Sequence, residues 1–203
     1  MILVAATANP GKLRELAALL ADSEFTLRSL ADFAAAPAVN ESGETFVANA
    51  RLKAHAAAAH TGSPALADDS GLEVDALGGL PGVRSARFAA DAGAGSGDAA
   101  NLALLLSRLR GVPEAARTAR FRCAVVVARP DGAELIADGT CEGRIAEAPR
   151  GSGGFGYDPV FLAPSLGRTF AELSAAEKDR VSHRARAIAA LRPRLAAFLG
   201  GGE

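Results

Sequence analysis

Length, composition and charge restrict the kind of protein this chain can be. It has 203 residues, 49% of them hydrophobic, which is enough for a sizeable α/β core and argues against global disorder. The formal net charge of −1 argues against a nucleic-acid binder, and the two cysteines form neither a zinc nor a disulfide pattern. No apolar stretch approaches the length of a membrane span, so we expect a soluble cytoplasmic protein that binds neither nucleic acid nor a membrane.

The first elements are a strand and a helix with a clear start signal. Residues 2–6 are apolar and predict a buried strand. Asn9 is a good N-cap and Pro10 suits the first helical position, so a helix should begin here. Its N-terminus would present unpaired N–H groups and the positive end of the helix dipole, and Lys12 adds a full charge. The segment indicates either a phosphate site or an ordinary capped helix. A Walker A loop is excluded, because that motif's first Gly and final Ser or Thr are absent.

An acidic group lies in the middle of the chain. Residues 45–60 predict an Ala-rich helix, and residues 64–67 predict a strand that ends in an acidic loop. In that loop Asp68 and Asp69 are adjacent, and neighbouring carboxylates are costly unless a cation or water satisfies them. Such oxygen ligands suit Mg²⁺ joined to substrate phosphates, but a plain polar turn is an equal alternative. Glu41, in the loop before the helix, by itself favours helix decoration over metal binding.

The later elements favour an α/β protein with a mixed sheet flanked by helices. Residues 101–109 predict an amphipathic helix. Apolar residues alternate over 121–127, which predicts a strand. An Arg-Pro-Asp-Gly turn follows, and residues 135–145 predict a second strand, so the two should form a long hairpin. Residues 182–199 predict a last helix that Pro193 should kink or divide. There is no repeat and no linker, so we predict one domain over the whole chain.

Two further groups could contact a ligand. Residues 151–158 form a glycine-rich loop that contains Phe155 and Tyr157, the only tyrosine. An exposed ring there can stack on a base, which we favour for Phe155, whereas packing into the core is an alternative, above all for Tyr157. Three donors for phosphate or base carbonyls follow near a helix start: Lys178, His183 and Arg184. A solvated helix face is the plainer interpretation of these three.

Taken together, and in their order along the chain, these segments closely resemble the inosine triphosphatase family. Its members are the non-canonical purine NTP pyrophosphatases, also called dITP/XTP pyrophosphatases. The matching segments are ATANPGKLREL, ESGETFVANARLKA, ADDSGLEVDALGGLPGVRSAR, GGFGYDPVF and KDRVSHRARA, which together span nearly the whole chain. The resemblance implies an elongated two-lobed α/β fold with a cleft between the lobes, and a homodimer. It also implies hydrolysis of ITP, dITP and XTP to the monophosphate and pyrophosphate, with Mg²⁺.

The resemblance also implies which residues form the site. The phosphate loop falls on Thr7, Ala8, Asn9, Pro10, Gly11 and Lys12. The catalytic carboxylate falls on Asp69, and the implied metal ligands are Asp69, Asp68 beside it, and Glu41. Many relatives have two consecutive acids at the last of these sites, whereas this chain has Asn40 before Glu41. The remaining substrate contacts fall on Ser70, Phe155, Gly156, Tyr157, Asp158, Lys178, His183 and Arg184.

A mechanism follows from these implied roles. Asp69 would orient or deprotonate a water that attacks the α-phosphorus and expels pyrophosphate. Phe155 would stack on the purine while His183 and Arg184 donate to its 6-keto oxygen. Adenine has an amino group there, so a donor would be left unpaired. Two alternatives stay open: a related pyrophosphatase that acts on modified pyrimidines, and a nucleotide sensor without turnover. The paired acids argue against the sensor, because carboxylates beside phosphate do not help an anion binder.

Overall fold

The computed structural model describes residues 1–21, 23–163 and 165–200. Within them, seven strands form one sheet in the order β2-β1-β3-β4-β5-β6-β7. The strands are β1 (Ile2–Ala5), β2 (Thr26–Ser29), β3 (Ala65–Val74), β4 (Thr118–Ala128), β5 (Glu134–Ile145), β6 (Phe161–Ala163) and β7 (Arg168–Thr169). Strand β1 pairs in parallel with β2 and β3, whereas β6 pairs antiparallel with β5 and β7. The predicted mixed sheet is therefore confirmed.

Six α-helices occur in the described part of the chain. They are α1 (Pro10–Leu19), α2 (Phe46–Thr61), α3 (Phe88–Asp91), α4 (Asp98–Arg108), α5 (Ala175–Val181) and α6 (His183–Gly200). Local signals explain where several of them begin. The Asn9 side chain caps α1, the Thr45 side chain caps α2, and a capping box between Ser174 and Glu177 starts α5. None of the described helices is long and apolar enough to cross a membrane.

The chain forms two compact units, and strands β3, β4 and β5 each pass from one to the other. The first unit consists of Met1–Asp69, Cys123–Gly139 and the chain from His183 onward. The second consists of Ser70–Arg122 and Thr140–Ser182. The single-domain organisation stays a prediction.

Each unit has its own apolar core. In the first, one cluster surrounds Leu3, Leu66 and Ile188, and a second is built almost entirely of alanines from α2 and its neighbours. The small alanine side chains allow α2 to pack tightly, which matters because this helix carries polar residues of the candidate site. In the second unit, three rings pack together, with the centroids of Phe121 and Phe161 4.5 Å apart and Phe170 beside them.

Most predicted elements are confirmed, and one expectation is wrong. The hairpin is present: β4 and β5 are neighbours joined by residues 129–133, which are closed by a bond from Arg129 N to Ala133 O. The loop predicted at residues 68–71 does not exist, because β3 continues through it to Val74. Helix α6 runs through Pro193 to Gly200 without being divided, and a kink at Pro193 stays a prediction.

Candidate active site

The start of α1 is held by its own cap. The Asn9 Oδ1 atom accepts hydrogen bonds from Gly11 N at 2.8 Å and Lys12 N at 3.1 Å, and Asn9 N donates to Thr7 Oγ1. Pro10 has no N–H group. The unpaired amides expected at this helix start are therefore already bonded in this structure. Its positive character comes from the helix dipole and from Lys12.

Asp68 is the centre of a buried charge cluster in the first unit. Its Oδ2 atom lies 3.1 Å from Lys12 Nζ and 2.9 Å from Arg184 Nη2, and Arg184 also pairs with Glu15. Burial alone would raise the pKa of Asp68, but Arg184, Lys12 and Lys53 outweigh it and hold that pKa far below its usual range. Asp68 therefore stays ionised and holds Lys12 and Arg184 in place.

Asp69 has different surroundings although it is the next residue. Successive side chains of a strand point to opposite faces, so the two acids meet different neighbours. The Oδ2 atom of Asp69 accepts a bond from Asn49 Nδ2 at 3.1 Å, and its Oδ1 atom lies 3.5 Å from Lys53 Nζ. Burial raises the pKa of Asp69 in spite of Lys53 and Lys12, which favour the charged form. A carboxylate of this kind is able to take up a proton.

Lys53 connects Asp69 to the loop before α2. Its Nζ atom also lies 2.9 Å from Glu41 Oε1. Burial opposes the charge on Lys53, but the carboxylates of Asp69, Asp68 and Glu41 outweigh it and raise the pKa of the ammonium group. Asp69 and Glu41 thus already share one positive charge.

The same two acids fit a magnesium ion. The described residues contain no group of three or more His, Cys, Asp or Glu side chains arranged to hold a metal by themselves. Mg²⁺ does not need such a group, because it is usually bound by one or two carboxylates together with substrate phosphates and water. The shared Lys53 ammonium indicates that Asp69 and Glu41 can face a single cation. Asp68, the third candidate ligand, has its Oδ2 atom neutralised by Lys12 and Arg184, while its buried Oδ1 atom has no hydrogen-bond partner among the described residues.

The glycine-rich loop of the second unit is fastened by Asp158. Its Oδ2 atom accepts from Phe155 N at 2.9 Å and from Lys178 Nζ at 2.5 Å. Lys178 Nζ also lies 4.8 Å from the centroid of the half-buried Phe155 ring, a cation–π contact. Gly154 has φ +71°, and a Cβ atom there would lie 2.0 Å from Asp158 Oδ2, so the loop requires glycine at this position. The sequence pattern groups Lys178 with His183 and Arg184, whereas the structure brings Lys178 to the glycine-rich loop and shows why glycine is present at position 154.

Three other predicted contacts of the second unit differ in exposure. Tyr157 packs in the core, where its hydroxyl donates to Ser85 O at 2.8 Å, so its side chain follows the core alternative that the sequence left open. Any contact of Tyr157 with a substrate would fall to its backbone. Gly156 N donates to Asp98 Oδ2 at 2.7 Å, and Ser70 is partly exposed on β3 directly after Asp69.

The donors at the start of α6 are both buried. His183 and Arg184 open the helix, and the Arg184 guanidinium is directed to Asp68 and Glu15. The structure thus places Arg184 in the buried charge cluster around Asp68. Its function as a base reader stays a prediction.

Sequence reasoning assigned no function to three residues that belong to these clusters: Glu15, Asn49 and Lys53. A signal was available for two of them. Asn49 and Lys53 are four residues apart on one predicted helix and therefore share a face. The sequence does not show that this face meets Asp69.

The fold and the two clusters define an α/β protein with a mixed sheet, in which buried acids are paired with lysines and an arginine. Comparison with known proteins gives the particular family. The Ham1 family model matches residues 3–194, and the chain belongs to this family.

Curated relatives and solved structures agree with this assignment. The chain is 53% identical to a dITP/XTP pyrophosphatase of Geobacillus kaustophilus, over 98% of this chain and 96% of the relative. It is 52% identical to a dITP/XTP pyrophosphatase of Exiguobacterium sp., over 99% and 100% of the two chains. A HAM1 protein from Coxiella burnetii, of solved structure, is 42% identical, with a TM-score of 0.85 over 97% of this chain and 99% of that one.

Proposed function

We propose that this protein hydrolyses non-canonical purine nucleoside triphosphates, namely ITP, dITP and XTP, to the monophosphate and pyrophosphate. The observation that carries the proposal is the similarity, over nearly the full chain, to proteins named dITP/XTP pyrophosphatase. The surroundings of Asp69 support it, because a triphosphate pyrophosphatase needs a basic group among cations that bind phosphate. The cellular role would be to remove damaged purines from the nucleotide pool, and we place the enzyme in the cytoplasm with that pool.

Asp69 would carry the central step. It orients a water molecule and accepts its proton as the water oxygen attacks the α-phosphorus. The bond from the α-phosphorus to the bridging oxygen breaks, and pyrophosphate leaves with that oxygen. The pKa of Asp69 is raised by burial, so the carboxylate is a better base than an exposed one.

Cations of the first unit would bind the phosphates. Lys12 and Lys53 are the candidates, because each is mostly buried beside a carboxylate and a phosphate can share its charge. The segment comprising Thr7, Ala8, Asn9, Pro10 and Gly11 would position Lys12. Asp69 and Glu41, with Asp68 as a third candidate, would hold Mg²⁺, which when bound neutralises charge on the polyphosphate.

Recognition of the base would use separate groups. Phe155 would stack on the purine, in a loop that Asp158 and Lys178 hold together, and Gly156 of the same loop and Ser70 on β3 would make further substrate contacts. His183 and Arg184 would donate to the 6-keto oxygen. If so, Arg184→Ala lowers kcat/KM for ITP more than for ATP. An equal loss for both nucleotides would assign Arg184 to the buried charge cluster around Asp68 alone.

The deciding experiment measures pyrophosphate release from ITP, dITP, XTP, GTP and ATP, and from a modified pyrimidine triphosphate, with and without Mg²⁺. The proposal expects release from the first three only when Mg²⁺ is present. Preference for the pyrimidine would favour the related pyrophosphatase, and tight binding without release would favour a nucleotide sensor.

We also propose a homodimer. Light scattering that gives the monomer mass at micromolar concentration would contradict it.

A further inference from the structure

Asn49 makes two hydrogen bonds in the first unit that the proposed mechanism does not yet use. It lies on α2 and is fully buried. Its Nδ2 atom donates to Asp69 Oδ2 at 3.1 Å, and its Oδ1 atom accepts from Gly43 N at 2.8 Å. Because one end of the amide donates and the other accepts, its orientation is fixed by its two partners.

The second partner ties the Glu41 loop to the start of α2. Gly43 is two residues after Glu41 and lies close against the helix: a Cβ atom at Gly43 would lie 2.7 Å from both Asn49 Oδ1 and Ala48 Cβ. Real Cβ atoms do not come this close to a neighbour, so only glycine permits the contact. A single buried amide thus joins the loop of one acid to the carboxylate of the other.

We propose that Asn49 is a positioning residue that holds Asp69 and the Glu41 loop in one arrangement for hydrolysis; this rests on the proposed function. Its bond to Oδ2 of Asp69 fixes the rotation of the carboxylate. Since Oδ2 is occupied by the amide, Oδ1, with its longer contact of 3.5 Å to Lys53 Nζ, is the oxygen that would receive the proton of water in the proposed mechanism. Asn49 itself does not touch the substrate.

Three variants separate the two bonds. Asn49→Asp keeps an acceptor for Gly43 N but cannot donate to Asp69, whereas Asn49→Ala removes both bonds. Gly43→Ala displaces the loop while leaving the Asn49–Asp69 bond possible. Outer partners of this kind typically contribute about 10–100-fold to activity or metal affinity. We therefore expect kcat to fall by about 10–100-fold in both Asn49 variants, with KM little changed. In Gly43→Ala we expect a weaker Mg²⁺ activation and a smaller effect on kcat.

A binding measurement adds a readout that does not depend on turnover. The Kd of a non-hydrolysable ITP analogue, measured by calorimetry without metal, should match that of the unmodified protein in both Asn49 variants. The matched control is Asn101→Ala in the second unit. Asn101 is also a buried amide, but within the described part of the chain its side chain bonds to backbone atoms, accepting from Ala89 N and donating to Ala86 O. It should lower Tm without lowering kcat.

A double-mutant cycle tests whether Asn49 acts through Asp69. Asn49→Asp should cause no further loss of kcat when Asp69 is already Asn, since the carboxylate that it orients is gone. Folded Asn49 variants with near-normal kcat, or losses that simply add to that of Asp69→Asn, would overturn the inference while leaving the proposed function intact. If Asp69→Asn itself kept normal turnover, the proposed mechanism would fail, and the function of Asn49 with it.

Discussion

Asp68→Asn removes the anion of a buried charge cluster and should strongly destabilise the protein. The Arg184 side chain is 1% exposed, so losing the Asp68 carboxylate leaves a buried charge poorly compensated. Breaking a buried ion pair typically costs about 3–5 kcal/mol. Lys12 is 14% exposed and can reach solvent, and Glu15 still pairs with Arg184, so we expect the lower end, about 3 kcal/mol.

The assay is urea and thermal unfolding in EDTA without nucleotide, so that neither metal nor substrate contributes. For a chain of this size the loss corresponds to a fall in Tm of about 6–12 °C. The matched control is Glu142→Gln, which removes an ion pair to Arg120 from a carboxylate that is 66% exposed. Exposed pairs contribute about 0–1 kcal/mol, so this variant should unfold almost like the unmodified protein.

The pH dependence supplies a second check with a definite sign. The pKa of Asp68 is lowered in the folded protein, so its stabilising effect is complete above the unfolded pKa, about 4, and is lost as the pH falls below it. The difference in stability between the unmodified protein and Asp68→Asn should therefore shrink on acidification. Surface substitutions usually change the free energy of unfolding by no more than about 0.5 kcal/mol. If Asp68→Asn changed it by no more than that at neutral pH, the cluster would not stabilise the fold.

Three further predictions concern activity and the loop. Asp69→Asn should lower turnover by about 10²–10⁴-fold while nucleotide binding, measured by calorimetry, is retained; a near-normal rate would remove Asp69 from the mechanism. Phe155→Ala should weaken ITP, XTP and ATP together by about 1–3 kcal/mol, because stacking does not depend on the base; a selective loss for ITP in kcat/KM would mean that the ring reads the base. Gly154→Ala should detach Asp158 from Phe155 N and raise KM for all substrates, since the added Cβ would clash with Asp158 Oδ2; unchanged kinetics would show that the loop tolerates a different path.

The sequence predicts an element well where the residues that determine it are close together in the chain. The cap at Asn9, the capping box at Ser174 and the turn between β4 and β5 each depend on residues within a few positions of one another. The course of β3 could not be predicted in this way. Asp and Gly are poor strand residues and Ser is common in turns, so residues 68–71 predict a loop, yet tertiary packing keeps them in a strand.

The surroundings of Asp68 and Asp69 could not be predicted either, because their partners lie far away in the sequence. The guanidinium that compensates Asp68 comes from Arg184, 116 residues later in the chain, and the amide that bonds Asp69 comes from Asn49, 20 residues earlier. Neither distance corresponds to a helical or strand period. The sequence predicted that two adjacent carboxylates need a compensating charge, but not which residues supply it.

The strand geometry itself gives two neighbouring acids opposite properties. Because β3 continues through Asp68 and Asp69, their side chains must alternate, and one dipeptide supplies two environments. Asp68 faces Lys12 and Arg184, and its pKa is lowered, so it stays an anion that holds cations in place. Asp69 has one lysine at 3.5 Å and an amide, and burial raises its pKa, so it can exchange a proton. In a flexible loop the two carboxylates could exchange places, whereas in a strand a slip of one residue would reverse every side chain and place the wrong acid beside Lys12 and Arg184. The continuation of β3 through Asp68 and Asp69, which the sequence did not predict, is therefore what assigns the anchoring role to Asp68 and leaves Asp69 for chemistry.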